Sequence, residues 1–196
     1  MWWTAEQGQM VWHKWIGLSL IGLLIYRITW GLIGPVTARL SSLVSSPGRI
    51  LNYAKSLRGP SHAPSFGHNP LGAISVLILL TLLVIQTTTG LVSIDVDGLA
   101  SGWFGHLVSF DLGRSFSDVH DLSFNILVAF IVLHICAIGF YALIVRTDLI
   151  TPMITGMQNQ SETTEQHQSV RASLARVMVA LAISIATVVL IGWFGR

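Results

Sequence analysis

Four long apolar stretches alternate with polar segments along the chain, at residues 15–33, 71–92, 122–145 and 177–194. A helix needs about 20 predominantly apolar residues to cross a bilayer. Hydrocarbon offers the backbone no hydrogen-bond partner, so each stretch must satisfy its own backbone as a helix. The pattern predicts an all-α fold, an integral membrane bundle of four transmembrane helices.

The residues between these stretches predict where the helices begin and end. Gly34 and Pro35 end the first helix, and Asn69 followed by Pro70 begins the second. We expect the third helix to begin near Asp118 or Asp121, whose charge suits the positive end of a helix dipole. Residues 36–57 are expected to lie at the membrane interface as two short pieces, broken at residues 46–48.

Three divisions of the chain follow from this pattern. Residues 1–157 form the main membrane domain, which contains the first three long helices. Residues 158–170 are rich in Gln, Ser and Thr and predict a solvated linker. Residues 171–196 contain an additional C-terminal transmembrane helix.

Composition supports lipid as the surroundings of the chain. Hydrophobic residues make up 52% and charged residues only 10% of the sequence, whereas soluble domains carry about a quarter charged residues. No long basic run points to nucleic acid. The single cysteine, Cys136, excludes an internal disulfide and a cysteine-rich iron–sulfur site.

Basic residues are distributed unequally between the connections, which predicts the orientation. Two connections, residues 35–69 and 146–176, are basic and are therefore expected in the cytoplasm. The opposite side is acidic, so the N-terminus and the loop before the third long helix are expected in the periplasm. The basic side holds Arg39, Arg49, Lys55, Arg58, Arg146, Arg171 and Arg176, and the acidic side holds Glu6, Asp95, Asp97, Asp111, Asp118 and Asp121.

Histidines carry the candidate chemistry of the chain. Ionisable residues inside a membrane are expensive and usually functional, and histidine is a common axial ligand of haem iron. His120 and His134 are fourteen residues apart, which places them about 40° apart around a helix and roughly 21 Å apart along it. They cannot share one metal, but each can ligate one of two haems stacked across the membrane.

Each haem then needs a second ligand from another helix. His13 begins the first long helix on the side where we expect His120, so these two can bind one porphyrin between them. His134 lies deeper and has no histidine at matching depth. His68 precedes Asn69 and Pro70, and we interpret it as a helix cap or a quinone-side residue, with a role as the alternate ligand of His134 left open. The remaining three, in loops, are expected to be solvated: His62, His106 and His167.

Two further readings stay open. Arg27 lies near the cytoplasmic end of its helix, where it either pairs with a haem propionate or extends its charge to the interface. Gly17, Gly22 and Gly90 either let a porphyrin approach the backbone or are small residues at helix contacts.

The chain resembles the bacterial cytochrome b561 and nickel–iron hydrogenase cytochrome b subunits. The similar pieces are WHKWIG, IYRITWGLIG, GHNPLG, the spacing from His120 to His134, and DLITPMITGM. The resemblance implies bis-histidine haem b, one or two per chain. It also implies a bacterial inner-membrane location and two partners, a quinone and a redox protein such as a cytochrome c or a hydrogenase-type subunit.

The chain departs from this family at its N-terminus. Relatives usually have one more helix before residues 11–34, and that helix supplies a ligand for the cytoplasmic-side haem. The match therefore assigns His13 and His120 to the outer haem and leaves His134 without its usual partner. We expect a partner subunit to lend the ligand, the haem to be five-coordinate, or the true start to lie upstream, and we favour the last.

The leading hypothesis is an electron-transfer subunit rather than a self-contained enzyme, linking a quinone pool to a redox partner through haem b. The alternative is a haem-poor or haem-free membrane anchor or assembly subunit of a redox complex. A transporter is disfavoured because the pattern lacks clear repeats and broken helices.

The orientation can be tested by cysteine labelling. We predict that a cysteine introduced at Ser45, in a basic connection, is protected from an impermeant reagent in intact cells. A cysteine at Ser109, in the acidic loop, should react from outside. Labelling at position 45 from outside would contradict the orientation.

Overall fold

The computed structural model describes residues 1–35, 38–56, 70–145 and 173–195. Within these ranges the chain is helical and forms no β-sheet, which confirms the all-α prediction. The helices are α1 (Trp2–Glu6), α2 (Met10–Ile33), α3 (Pro47–Ser56), α4 (Pro70–Val92), α5 (Phe110–Phe140, continued by a π-helical turn, Tyr141–Val145) and α6 (Leu174–Phe194).

Four of these helices, α2, α4, α5 with its π-helical turn, and α6, are long and apolar enough to cross a membrane. Most of their large apolar side chains point away from the rest of the chain. Leu133 and Ile185, for example, are exposed in the middle of α5 and α6. Such surfaces suit lipid tails, so the prediction of four transmembrane helices is confirmed.

The third long helix begins much earlier than the sequence predicted. It starts at Phe110, where the Ser109 side chain accepts a hydrogen bond from the Leu112 backbone N–H. Hydropathy missed its first three turns because their side chains are largely polar, and Arg114 and Asp118 form an ion pair one turn apart, at 3.5 Å. The prediction that Asp118 or Asp121 begins this helix is therefore wrong, and His120 lies well inside it.

Other boundaries agree with the sequence. The helix α2 ends at Ile33 before Gly34, although it begins at Met10 rather than near residue 15, and α4 begins at Pro70. The interfacial segment forms two short pieces, a 3-10 helix at Leu40–Leu43 and α3. The expected cap at Asn69 and the linker at residues 158–170 lie outside the described residues.

The long helices pack as two pairs, α2 against α6 and α4 against α5, and α2 also contacts α4. In the first pair, the Ser184 hydroxyl donates a hydrogen bond to the Gly22 carbonyl oxygen at 2.6 Å. A Cβ atom at Gly22 would lie 2.9 Å from a methyl carbon of Val188. Of the two readings of Gly22, the helix contact is therefore correct.

Residues 93–109 fold over one end of the bundle, where α2 and α5 begin and α4 and α6 end. We call this the capped end. Trp103 is its anchor, buried with Leu18, Ile21 and Ile191. The indole N–H donates to the Lys14 carbonyl oxygen at 3.4 Å.

The packing of α2 on α6 can be tested with one added methyl group. Gly22→Ala should destabilise the protein by about 1–3 kcal/mol, because overpacking forces a shift of Val188. The measurement is the thermal unfolding midpoint in detergent.

Gly139→Ala is the matched control, since no heavy atom lies within 4 Å of a Cβ atom there. Alanine favours a helix over glycine by up to about 1 kcal/mol, so this variant should be neutral or more stable. Equal midpoints for the two variants would contradict the packing argument.

Candidate functional site

The His120 ring lies against α4, close to the capped end. Its Nδ1 atom is 2.9 Å from the Gln86 backbone carbonyl oxygen. A carbonyl oxygen only accepts, so Nδ1 carries the ring proton and the lone pair of this neutral imidazole is on Nε2. Nε2 is therefore the nitrogen that would bind a metal.

Gly90 makes room for this ring. A Cβ atom at Gly90 would lie 2.7 Å from the His120 Cε1 atom, closer than van der Waals contact allows. Glycine at this position therefore lets the imidazole approach the backbone of α4. Of the two readings of Gly90, the structure supports a small residue at a helix contact, here the contact with the His120 ring of α5.

The Gln86 side chain occupies the other side of the His120 ring. Its Nε2 atom lies 3.0 Å from the His120 Nε2 atom, and its Oε1 atom accepts a hydrogen bond from the Ser123 hydroxyl. Only this orientation of the amide gives every atom a complementary partner, because the amide N–H meets the imidazole lone pair. The Thr89 hydroxyl also lies near this ring, 3.3 Å from the His120 Nδ1 atom.

His13 reaches the same region from the second turn of α2. Its Nδ1 atom lies 3.2 Å from the Met1 carbonyl oxygen and 3.3 Å from the Thr4 hydroxyl. The Thr4 hydroxyl itself donates to the Met1 carbonyl oxygen at 2.6 Å. Here too Nδ1 is the donor, so Nε2 of His13 keeps its lone pair.

The rings of His13 and His120 are 6.3 Å apart between centroids, with planes inclined by 72°. Two imidazoles on opposite sides of one metal, each bound at about 2 Å, should have centroids roughly 6 Å apart. They line a cavity together with residues of α2, α4 and the loop of the capped end. The predicted pairing of His13 with His120 in space is therefore observed.

The ligand count limits which metal suits this pair. Among the described residues, no three His, Cys, Asp or Glu side chains converge. Two imidazoles alone suit a metal that brings its other ligands with it, as haem iron does within the porphyrin. The two nitrogen donors and the spacing of their rings fit haem.

His134 lies further along α5, and α4 again provides its partner. The Ser75 hydroxyl is 2.8 Å from the His134 Nδ1 atom. The His134 imidazole therefore has a polar partner on the neighbouring helix. A second axial ligand for His134 was not expected in this chain, and that point stays a prediction.

The structure places the other candidates away from the histidine pair or outside its description. The Arg27 guanidinium donates to the Ala38 carbonyl oxygen at 3.4 Å, so it holds the chain that follows α2. Its contact with a propionate stays a prediction. His106 is exposed in a 3-10 turn of the capped end. Three histidines lie outside the described residues: His62, His68 and His167.

Sequence reasoning missed the polar residues that hold the histidines. Gln86 and Ser75 are eleven residues apart in α4, a spacing that puts them about 20° apart on one helix face. Gln86 is a buried amide in an apolar helix, and the neighbouring helix carries two histidines. This combination could have identified the amide as the partner of a histidine. Ser123, one turn after His120, carries the same signal.

Two neutral imidazoles that converge inside a membrane bundle are the arrangement expected of a membrane haem protein. A model of the family described as prokaryotic cytochrome b561 matches residues 1–156. The chain belongs to this family. It is therefore a membrane b-type cytochrome of electron transfer, and its family implies haem b. Comparisons with curated proteins and with solved structures give no match.

Gly90 provides a test of the site that leaves both histidines in place. Gly90→Ala should displace the His120 ring and weaken haem binding at least about five-fold, since overpacking costs about 1–3 kcal/mol. Haem per polypeptide is measured by the pyridine haemochrome spectrum, with helix content from circular dichroism.

Gly139→Ala on α5 again serves as the control, because its added methyl group meets open space. Full haem content in Gly90→Ala would show that the close approach of His120 to α4 is unimportant for the site.

Proposed function

We propose that this chain carries electrons between a membrane quinone and a redox protein through haem b held by His13 and His120. The observation that carries the proposal is the 6.3 Å separation of two rings whose Nδ1 atoms both meet backbone carbonyls. Haem b, when bound, supplies one-electron chemistry at its iron.

The chain's own residues hold and orient the ligands. Backbone carbonyls of Met1 and Gln86 fix the tautomers of His13 and His120, as outer-shell acceptors do at many metal sites. Carbonyls cannot rotate away like side chains, so both rings are pre-oriented. This arrangement favours a low-spin iron with two strong nitrogen ligands.

Trp103 has a second role in the proposal. Its buried indole forms part of the wall of the cavity that His13 and His120 line. An apolar wall lowers the local dielectric and so strengthens the dependence of the iron potential on nearby charge. An electron can still pass to a partner docked on the cap.

We propose His134 as a ligand of a second haem, nearer the opposite end of the bundle. The Ser75 hydroxyl holds its ring as the Gln86 carbonyl holds that of His120. Two haems at these depths would provide a path across the bilayer. Arg27 as a propionate contact and His68 as a quinone-side residue belong to the same proposal.

The orientation belongs to the proposal as well. The capped end faces the periplasm of a bacterial cell and the basic connections face the cytoplasm. The partner at the capped end is then a periplasmic redox protein, of the cytochrome c or hydrogenase type. The quinone reacts within the membrane.

Replacement of either ligand tests the function at the site. His13→Ala and His120→Ala should each abolish one bis-histidine signal in electron paramagnetic resonance and leave the other haem in place. The control is His106→Ala, since His106 is exposed in the cap; this variant should retain the whole spectrum.

Two results would contradict the proposal. An unchanged spectrum in both ligand variants would exclude His13 and His120 as ligands. A purified protein with no reducible Soret band would favour the alternative, a haem-free anchor or assembly subunit.

A further inference from the structure

We propose that the Gln86 side chain competes with haem iron for the Nε2 lone pair of His120 and thereby sets the haem affinity of the site. The proposal rests on the proposed function, because it assumes that His120 is an axial ligand. This role of Gln86 is separate from electron transfer and from helix packing.

The competition follows from the donor set. A neutral imidazole with its proton on Nδ1 has one lone pair in the ring plane, at Nε2. The amide of Gln86 lies 3.0 Å from that atom, within hydrogen-bond distance. The lone pair cannot form a metal bond and this hydrogen bond at the same time, so one of the two bonds must be absent.

The amide is held in place independently of the histidine. Its Oε1 atom accepts from the Ser123 hydroxyl, which projects from α5 one turn after His120. Gln86 is also 9% exposed, so water does not readily replace its partners. Release of the lone pair therefore requires loss of a hydrogen bond at a buried position, and this opposes haem binding.

Orientation of the His120 ring does not depend on the Gln86 side chain. The Nδ1 proton is accepted by the Gln86 backbone carbonyl at 2.9 Å, which any residue at position 86 retains. Gly90 keeps the ring against α4 in the same way. Substitution of the side chain should therefore remove the competitor and leave the ligand pre-oriented.

The informative variant is Gln86→Leu, because leucine resembles glutamine in size. Leucine cannot donate to Nε2, so haem should bind about 2- to 12-fold more tightly, the range for one net hydrogen bond.

A further variant and a control complete the series. Ser123→Ala frees the Oε1 atom of Gln86, so it should tighten haem binding in the direction of Gln86→Leu but by less. Thr88→Val is the control on α4, since Thr88 is exposed and donates only to backbone carbonyls of its own helix. It should leave haem affinity unchanged.

The measurement is a titration of the full-length protein with haemin. The parent is His134→Ala, purified in detergent from haem-depleted cells, so that only the His13 and His120 site is titrated. The Soret band gives the affinity, and electron paramagnetic resonance verifies bis-histidine ligation.

The outcomes separate the inference from the function on which it rests. Tighter binding to Gln86→Leu and Ser123→Ala, with the low-spin signal retained, supports the inference. Unchanged or weaker binding in Gln86→Leu contradicts the inference alone. A parent without a low-spin signal contradicts the proposed function and the inference together.

Discussion

Hydrocarbon gives a polar side chain no hydrogen-bond partner, and this constraint organises the interface between α4 and α5. Polar groups on one helix must meet polar groups on the other. Ser75 meets His134, and Gln86 meets both His120 and Ser123. Since these contacts recur along one face of each helix, the polar faces of α4 and α5 meet. At this interface the Gln86 backbone carbonyl orients the His120 ring, and the Ser75 hydroxyl contacts the His134 ring.

The remaining elements bring the second imidazole to this interface. The helix α2 packs on α6 through Gly22 and Ser184, and the loop of the capped end ties α2 to the ends of α4 and α6. Trp103 in this loop forms part of the wall of the cavity. The position of His13 beside His120 therefore depends on packing among four separate parts of the chain. The position of His120 itself depends on only two helices, α4 and α5.

Prediction from the sequence succeeded for features that depend on the average hydropathy of a long segment. It failed for features that depend on a contact between particular residues. Four apolar stretches were enough to find the spanning helices. The start of α5 was missed because its first turns are polar, although Ser109 and the Arg114–Asp118 pair stabilise them as helix. The contact of Ser75 with His134 was missed for a similar reason. A serine in an apolar helix gives no sign in hydropathy of which residue it faces.

The sequence by itself determined the membrane environment, the number of long helices in the described chain and the shared face of His120 and His134, because composition and helical period are properties of single segments. Only the tertiary structure decided that the His13 ring lies 6.3 Å from that of His120, which backbone carbonyls orient the two rings, and that Gln86 faces the Nε2 atom of His120. These features depend on how separate helices are rotated and offset against one another. Packing between helices sets that geometry, and the periodicity of residues within one helix does not contain it.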